Sequence, residues 1–148
     1  MSGTGKSTVV RELRRRGFAA IDADDDGYTE PALDGAWRWR VAAVRSLLAG
    51  SDQAVLFFAG CSEEQTGFEW DRQVLLTAPA PEIVARLRAR TSNTFGKAPR
   101  EQQKVLRDRR EVEPLLQRCA DVVIDSTQPL SLVVDELLAA VLGMPPKG

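Results

Sequence analysis

Short apolar runs that alternate with amphipathic helical stretches predict an α/β fold of three layers, a mostly parallel sheet with helices on both faces. Two further observations point the same way. The runs end in acids or turn-formers, as buried parallel strands do, and the chain opens on Ser2-Gly3-Thr4-Gly5-Lys6-Ser7-Thr8, most of the phosphate-loop pattern GxxxxGK[ST]. Four strands are visible. The strand that should lead into the loop, and the first loop glycine, would fall before Met1. The motif is therefore expected to be cut, by a late start or a shortened chain, and a fifth, central strand is implied.

The elements follow in order. Thr8 to Arg16 reads as a helix with Val9, Val10 and Leu13 on one face, stopped by Gly17. Phe18 to Asp22 is a short strand, followed by an acidic loop through Asp24, Asp25, Asp26 and Gly27 to Gly35. A helix carrying Trp37, Trp39, Val41, Val44, Leu47 and Leu48 is expected up to Gly50. Ala54 to Ala59 and Gln73 to Thr77 are further strands. Pro81 suits the first turn of a helix that runs to about Arg90. A polar stretch over 91–99 separates it from a second helix, 100–113, broken or kinked near Pro114 and resumed at Leu115 and Leu116. Val122 to Ile124, closed by Asp125, is the last strand, and Ser131 to Leu142 a final helix ended by Gly143 and the Pro145-Pro146 tail.

At 148 residues, 43% hydrophobic and 28% charged, the chain suits one domain over 1–148 with a single core. Twenty basic against 21 acidic residues leave no global field for nucleic acid or an anionic membrane surface. The absence of histidine removes His metal sites and every His-based acid–base or nucleophilic mechanism. Cys61 and Cys119 stand in no metal-ligand spacing and read as structural thiols suited to a reducing compartment. With no signal peptide, membrane-length apolar run or lipidation motif, a soluble cytoplasmic protein is expected.

Three groups of residues carry chemistry. In the loop, Gly3 and Gly5 free backbone N–H groups to approach an anion, Lys6 would reach the β- and γ-phosphates, and the Ser7 hydroxyl would ligate Mg²⁺. Asp22 and Asp24 stand at the carboxyl end of the first visible strand, where open α/β sheets bind ligands; they could hold Mg²⁺ through water and take a proton from an attacking hydroxyl. An Asp-rich turn serving its own backbone is the alternative, and Asp25 and Asp26 read that way. The stretch 86–110 holds nine bases and only Glu101 and Asp108 as acids. Arg86 and Arg90, four apart, could grip polyphosphate oxygens or the charge of a transferring phosphoryl group, where the alternative is a solvated basic face.

In this order of loop, helix, Asp-x-Asp strand end, Ala-Gly-Cys-Ser after an apolar strand, Arg-Leu-x-x-Arg before a flexible segment and Ile-Asp-Ser-Thr at a final strand end, the chain resembles the small P-loop kinases. These are the shikimate kinase, gluconate kinase and adenylate kinase-like proteins, often catalogued only as small AAA-family ATPases. The resemblance covers nearly the whole chain and implies a P-loop NTPase fold with a small helical lid near 86–110. It implies ATP and Mg²⁺ as cofactors, with Ser2, Gly3, Thr4, Gly5, Lys6, Ser7 and Thr8 on the phosphates and Asp22 with Ser7 at the metal. Asp24 would orient or deprotonate an acceptor hydroxyl, Arg86 and Arg90 would act from the lid, and Asp125, Ser126, Thr127, Gln128 and Pro129 would pack against adenine.

The chain departs from parts of that group. Gly60 is followed by Cys61-Ser62-Glu63-Glu64 where shikimate kinases carry a glycine triplet, and Val112 stands where their substrate arginine falls. There is no histidine after Asp-x-Asp, as gluconate kinases tend to have. Trp37, Arg38, Trp39, Arg40 and Arg45 lie on the acceptor side, suiting a planar or anionic acceptor or, for the tryptophans, plain packing. The expected activity is transfer of the γ-phosphoryl group of ATP to a hydroxyl of a small molecule, with ATP and that acceptor as partners and no nucleic acid or membrane. Oligomeric state is left open. The alternatives are a nucleoside monophosphate kinase, in which Arg38 or Arg45 would outweigh Asp24, and a non-catalytic or vestigial nucleotide-binding protein.

Overall fold

The computed structural model describes residues 1–91 and 94–143. Ser92 and Asn93 of the expected flexible segment and the Pro145-Pro146 tail lie outside the described residues. Contacts gather into two compact units, one of Lys6–Glu69 and one of residues 1–5 with the chain from Trp70 onward.

The first unit is built on helix α1 (Lys6–Arg15). Its Val9, Val10 and Leu13 recur at one-turn spacing and are buried, so α1 lays an apolar stripe on the two-stranded parallel ladder of β1 (Ala19–Asp22) and β4 (Leu56–Ala59). Replacing the fully buried Leu13 by Ala would cost about 2–5 kcal/mol. Gly17 ends the helical stretch at a φ of 89°, a conformation that favours glycine. The ladder pairs Ala19 with Leu56 and Asp22 with Ala59, which brings the carboxyl ends of both strands to one edge.

Between these strands lies a hairpin that the sequence reading took for part of a helix. Residues Trp37–Trp39 form β3, paired antiparallel with β2 (Thr29–Pro31), and helix α2 starts only at Val41 and runs to Gly50. Trp-Arg-Trp alternates with period two, which puts both tryptophans on one face; Trp39 is buried in the core at 5% exposure, while Trp37, beside the 32–36 turn, stays exposed. The described residues hold six strands rather than the four expected, the two extra ones being this hairpin. Edge-on aromatic contacts tie it down, Trp39 to Phe58 with ring centroids 5.0 Å apart and Tyr28 to Phe58 at 5.8 Å.

The second unit pairs β5 (Val74–Thr77) in parallel with β6 (Val122–Asp125), with α5 (Leu130–Leu142) packed on β6. Helix α3 (Ala80–Ala89) meets α4 (Pro99–Cys119) over a core of Ala78, Ile83, Leu87 and Val105, against which Phe95 packs. Pro81 and Pro99 each stand in a first helical turn, where a missing N–H costs nothing. Glu101 accepts from the backbone N–H of Ala98 at 3.2 Å and of Gly96 at 2.8 Å, which fixes the entry to α4. The expected break near Pro114 does not divide α4, whose single span includes it.

Candidate active site

The loop residues fall in both units, and each half has its own supports. In the second unit, Gly3 and Gly5 adopt φ of 80° and 96°, the left-handed region that glycine enters at least cost. Gly3 lies directly on α3: a Cβ there would stand 2.8 Å from Ile83 Cγ2 and 3.2 Å from the Ile83 carbonyl oxygen. Thr4 is buried, and its hydroxyl donates to the Met1 carbonyl at 3.1 Å. Ser2 is half-buried.

Arg86 secures this half. Its Nη1 donates to Ser126 Oγ at 3.0 Å and reaches the Gly3 carbonyl at 3.4 Å, while Nη2 donates to the Ser126 carbonyl at 2.6 Å and Nε to Glu82 at 2.9 Å. The Ser126 hydroxyl in turn donates to the Thr77 carbonyl at 2.9 Å, which locks the turn after β6 to the end of β5. In that turn Asp125 accepts from the Thr127 hydroxyl at 2.7 Å and backbone N–H at 2.9 Å, and these bonds hold its carboxyl below the usual range. Gln128 donates to the Asp125 carbonyl, and Pro129 opens α5. Arg90 behaves differently from Arg86. It follows the last turn of α3, donates from Nη2 to the Phe95 carbonyl at 2.8 Å, and keeps a buried Nε without a hydrogen-bond partner among the described residues.

In the first unit, Lys6, Ser7 and Thr8 form the opening of α1, where the helix dipole concentrates positive potential. The Ser7 hydroxyl donates to Asp22 Oδ2 at 2.6 Å. Asp22 is 6% exposed, and its other oxygen accepts from the backbone N–H groups of Asp24 and Asp25 at 3.1 and 3.3 Å. Asp26 serves the turn, as the sequence suggested: its carboxylate accepts from the Asp22 N–H at 2.7 Å and from Arg14 at 2.5 Å. Among the described residues the Asp24 carboxyl makes no such turn bond. Loss of solvation, then the neighbouring Asp22, raises its carboxyl above the usual range, with Lys6 acting against them, even though the residue as a whole is exposed.

A hydroxyl and a buried carboxylate 2.6 Å apart are hard oxygen donors of the kind Mg²⁺ takes, directly or through water, with phosphate oxygens completing its shell. The residues present therefore fit that ion. Among the described residues no group of three or more His, Cys, Asp or Glu could hold a metal on its own.

Sequence reasoning missed one cluster. Arg38 is bound by Asp34 at 2.8 Å and by Glu63 and Glu64 at 3.4 Å each. Only the Asp34–Arg38 spacing hinted at it, since the glutamates come from a 3₁₀ turn (Glu63–Gly67) brought near by tertiary packing. Arg45 lies 5.3 Å from the Phe68 ring centroid. Both cysteines are free and exposed, so neither fills the core as the structural reading implied.

A glycine-bearing loop opening a helix, an acid-ended parallel strand beside it and a second parallel ladder define a P-loop protein. The AAA domain family matches residues 1–107. A shikimate kinase 2 from Dickeya chrysanthemi is 31% identical over 157 residues, spanning 92% of this chain and 89% of that protein. The crystal structure of TT1252 from Thermus thermophilus superposes with a TM-score of 0.60 at 21% identity, over 96% of this chain and 92% of the other. A gluconokinase from Sinorhizobium meliloti 1021 gives 0.59 at 22% identity, over 96% and 87%. The chain belongs to the AAA domain family and is a small P-loop kinase-like NTPase. No helix among the described residues is long and apolar enough to cross a membrane.

Proposed function

We propose that the protein binds ATP with Mg²⁺ and transfers the γ-phosphoryl group to a hydroxyl of a small molecule. The observation that carries this reading is the Ser7–Asp22 pair at the opening of α1. Mg²⁺, when bound, would neutralise phosphate charge. Ser7 and Asp22 would hold it, and the residues 2–8 would wrap the phosphates with backbone N–H groups, Lys6 adding its ammonium. Asp24, with its carboxyl held above the usual range, would accept the hydroxyl proton as the oxygen attacks. Arg86 would keep the loop in shape through Gly3 and Ser126, and Arg90 would exchange its Phe95 contact for transition-state charge. Asp125 to Pro129 would border the adenine. The similarity to a shikimate kinase and a gluconokinase supports small-molecule phosphorylation in a single-domain protein with its lid near 86–110. The occupation of Arg38 by three carboxylates speaks against a monophosphate as acceptor.

The test is calorimetric titration with ATP·Mg²⁺, followed by a phosphotransfer screen over hydroxyl compounds. Native protein should bind ATP only weakly without Mg²⁺, and Lys6→Ala and Ser7→Ala should each remove most of the affinity while the far-UV circular dichroism is kept. Unchanged affinity in both variants sinks the assignment of the loop. Binding without transfer to any acceptor would favour a nucleotide-binding protein without turnover.

A further inference from the structure

Around Arg38, in the first unit, carboxylates outnumber guanidinium groups. Arg38 stands on β3 opposite Glu30 in the hairpin register and is held by Asp34, Glu63 and Glu64 together. One guanidinium against three carboxylates leaves a surplus of negative charge. Two of the three are firmly ionised. Arg38 and the Ala36 N–H hold the Asp34 carboxyl below the usual range, and the Ser62 hydroxyl does the same for Glu64, which also accepts from the Trp39 N–H.

The cluster is tied to the edge where the proposed chemistry would occur. Trp39, the neighbour of Arg38, presses its indole against Gly60: a Cβ on that glycine would stand 2.9 Å from Trp39 Cζ2 and 3.0 Å from the Ala23 Cβ. Ala23 sits between Asp22 and Asp24, and Gly60 follows the residue paired with Asp22. Glu63 and Glu64 follow closely on the carboxyl end of β4, and Glu64 accepts from the Trp39 N–H, so two of the acids that occupy Arg38 stand on the chain leaving that edge.

We propose that Asp34, Glu63 and Glu64 form a charge filter: by occupying Arg38 they set the acceptor side against phosphate- and carboxylate-bearing molecules, so that the hydroxyl acceptor is uncharged or carries an amine. This rests on the reading of Asp24 as the acceptor-side acid. Discrimination here comes from repulsion of the wrong molecule, since an incoming anion meets the surplus carboxylates and finds the one cation at their centre already engaged. Freeing the guanidinium would restore a fork suited to a carboxylate.

The experiment uses shikimate and its methyl ester, which differ in one negative charge, as probes in calorimetric binding with ATP·Mg²⁺ present. Native protein should favour the ester, or bind neither. The triple variant Asp34→Asn, Glu63→Gln, Glu64→Gln should gain affinity for the acid by about tenfold or more. Glu63→Gln alone, at a side chain 90% exposed, serves if the triple variant does not fold, with a smaller gain in the same direction. Native protein that binds the acid at least as well as the ester overturns the proposal, as does a folded variant with no gain for the acid. The readout is binding rather than phosphoryl transfer. Loss of the filter would leave the kinase reading standing, and a protein that shows the filter without turnover would retire only the latter.

Discussion

Arg86 grips Ser126 with both ends of its guanidinium, Nη1 on the hydroxyl and Nη2 on the carbonyl. The turn after β6 is thereby joined to the loop residue Gly3 through one side chain. A lysine has the charge but not the planar fork, so Arg86→Lys cannot keep both bonds and the Gly3 contact. Arg86→Lys should lower ATP affinity about tenfold and the melting temperature by several degrees, and Arg86→Ala more, because it strands the buried Ser126 acceptors. Titration and thermal melts check this. An Arg86→Lys protein that binds ATP normally would return Arg86 to a dispensable surface contact.

Gly3 and Gly17 both adopt positive φ, 80° and 89°, yet only Gly3 is crowded. Alanine at either position meets the backbone cost of the left-handed region, about 1–2 kcal/mol. At Gly3 it also meets the Ile83 side chain at 2.8 Å and the Ile83 carbonyl at 3.2 Å, and the carbonyl belongs to helix backbone that gives little. Gly3→Ala should therefore displace the loop and remove ATP binding, while Gly17→Ala should lower stability and leave affinity near native. Equal affinities in the two variants would show that the loop tolerates the shift.

Glu12 accepts from Arg15 at 2.7 Å through each oxygen and from Arg16 at 2.8 Å, and these bonds, Arg15 first, lower its pKa to about 2. The folded value lies below the unfolded one, so the contribution to stability is fully present above about pH 4.5 and is lost as pH falls toward 2. Because the Arg15 side chain is 72% exposed, salt should weaken the effect. Denaturant titrations of native protein and Glu12→Gln at pH 5 and pH 3 should show the larger acid loss in the native protein. Identical losses would mean that the arginines do not hold the carboxylate in solution.

The parts of this molecule that were legible in the sequence are those written locally. The loop and the start of α1 were readable because Gly-x-Gly-Lys-Ser is one contiguous pattern, and β1, β4, β5 and β6 because short apolar runs ending in acids or turn residues leave few alternatives. Trp37 to Trp39 were misread because Val44, Leu47 and Leu48 imposed a helical period that was extended backward. The period-two alternation of Trp and Arg was the better local signal. The two glutamates beside Arg38 could not be read at all, since Glu63 and Glu64 lie 25 and 26 residues away and reach it only once the loop after β4 folds over β3. Arg86 and Arg90 looked alike in sequence at helical spacing, yet α3 ends at Ala89. That gives Arg86 a structured helix face and leaves Arg90 in extended backbone beyond it.

Asp24 and Asp25 are adjacent acids in one turn, and the geometry separates their roles. Both donate backbone N–H groups to Asp22 Oδ1, so the turn itself does not depend on either carboxyl. Loss of solvation, then Asp22, raises the Asp24 carboxyl, which suits it to the proposed part of taking a proton from an attacking hydroxyl. Asp24→Asn keeps size and the backbone bond but removes the base. Once an acceptor is identified, it should lower kcat by about 10²–10⁴ while ATP affinity changes little. Asp25→Asn should leave kcat within about threefold, as expected of a group without a part in transition-state charge. Steady-state phosphotransfer rates and ATP titrations of both variants are the measurement, with Asp24→Glu as a third to report how strictly the carboxylate must be placed. If Asp24→Asn and Asp25→Asn lose activity to the same extent, neither acts as the base and the acids serve the local field. If Asp24→Asn loses ATP affinity in step with kcat, its carboxylate acts at the nucleotide rather than at the acceptor.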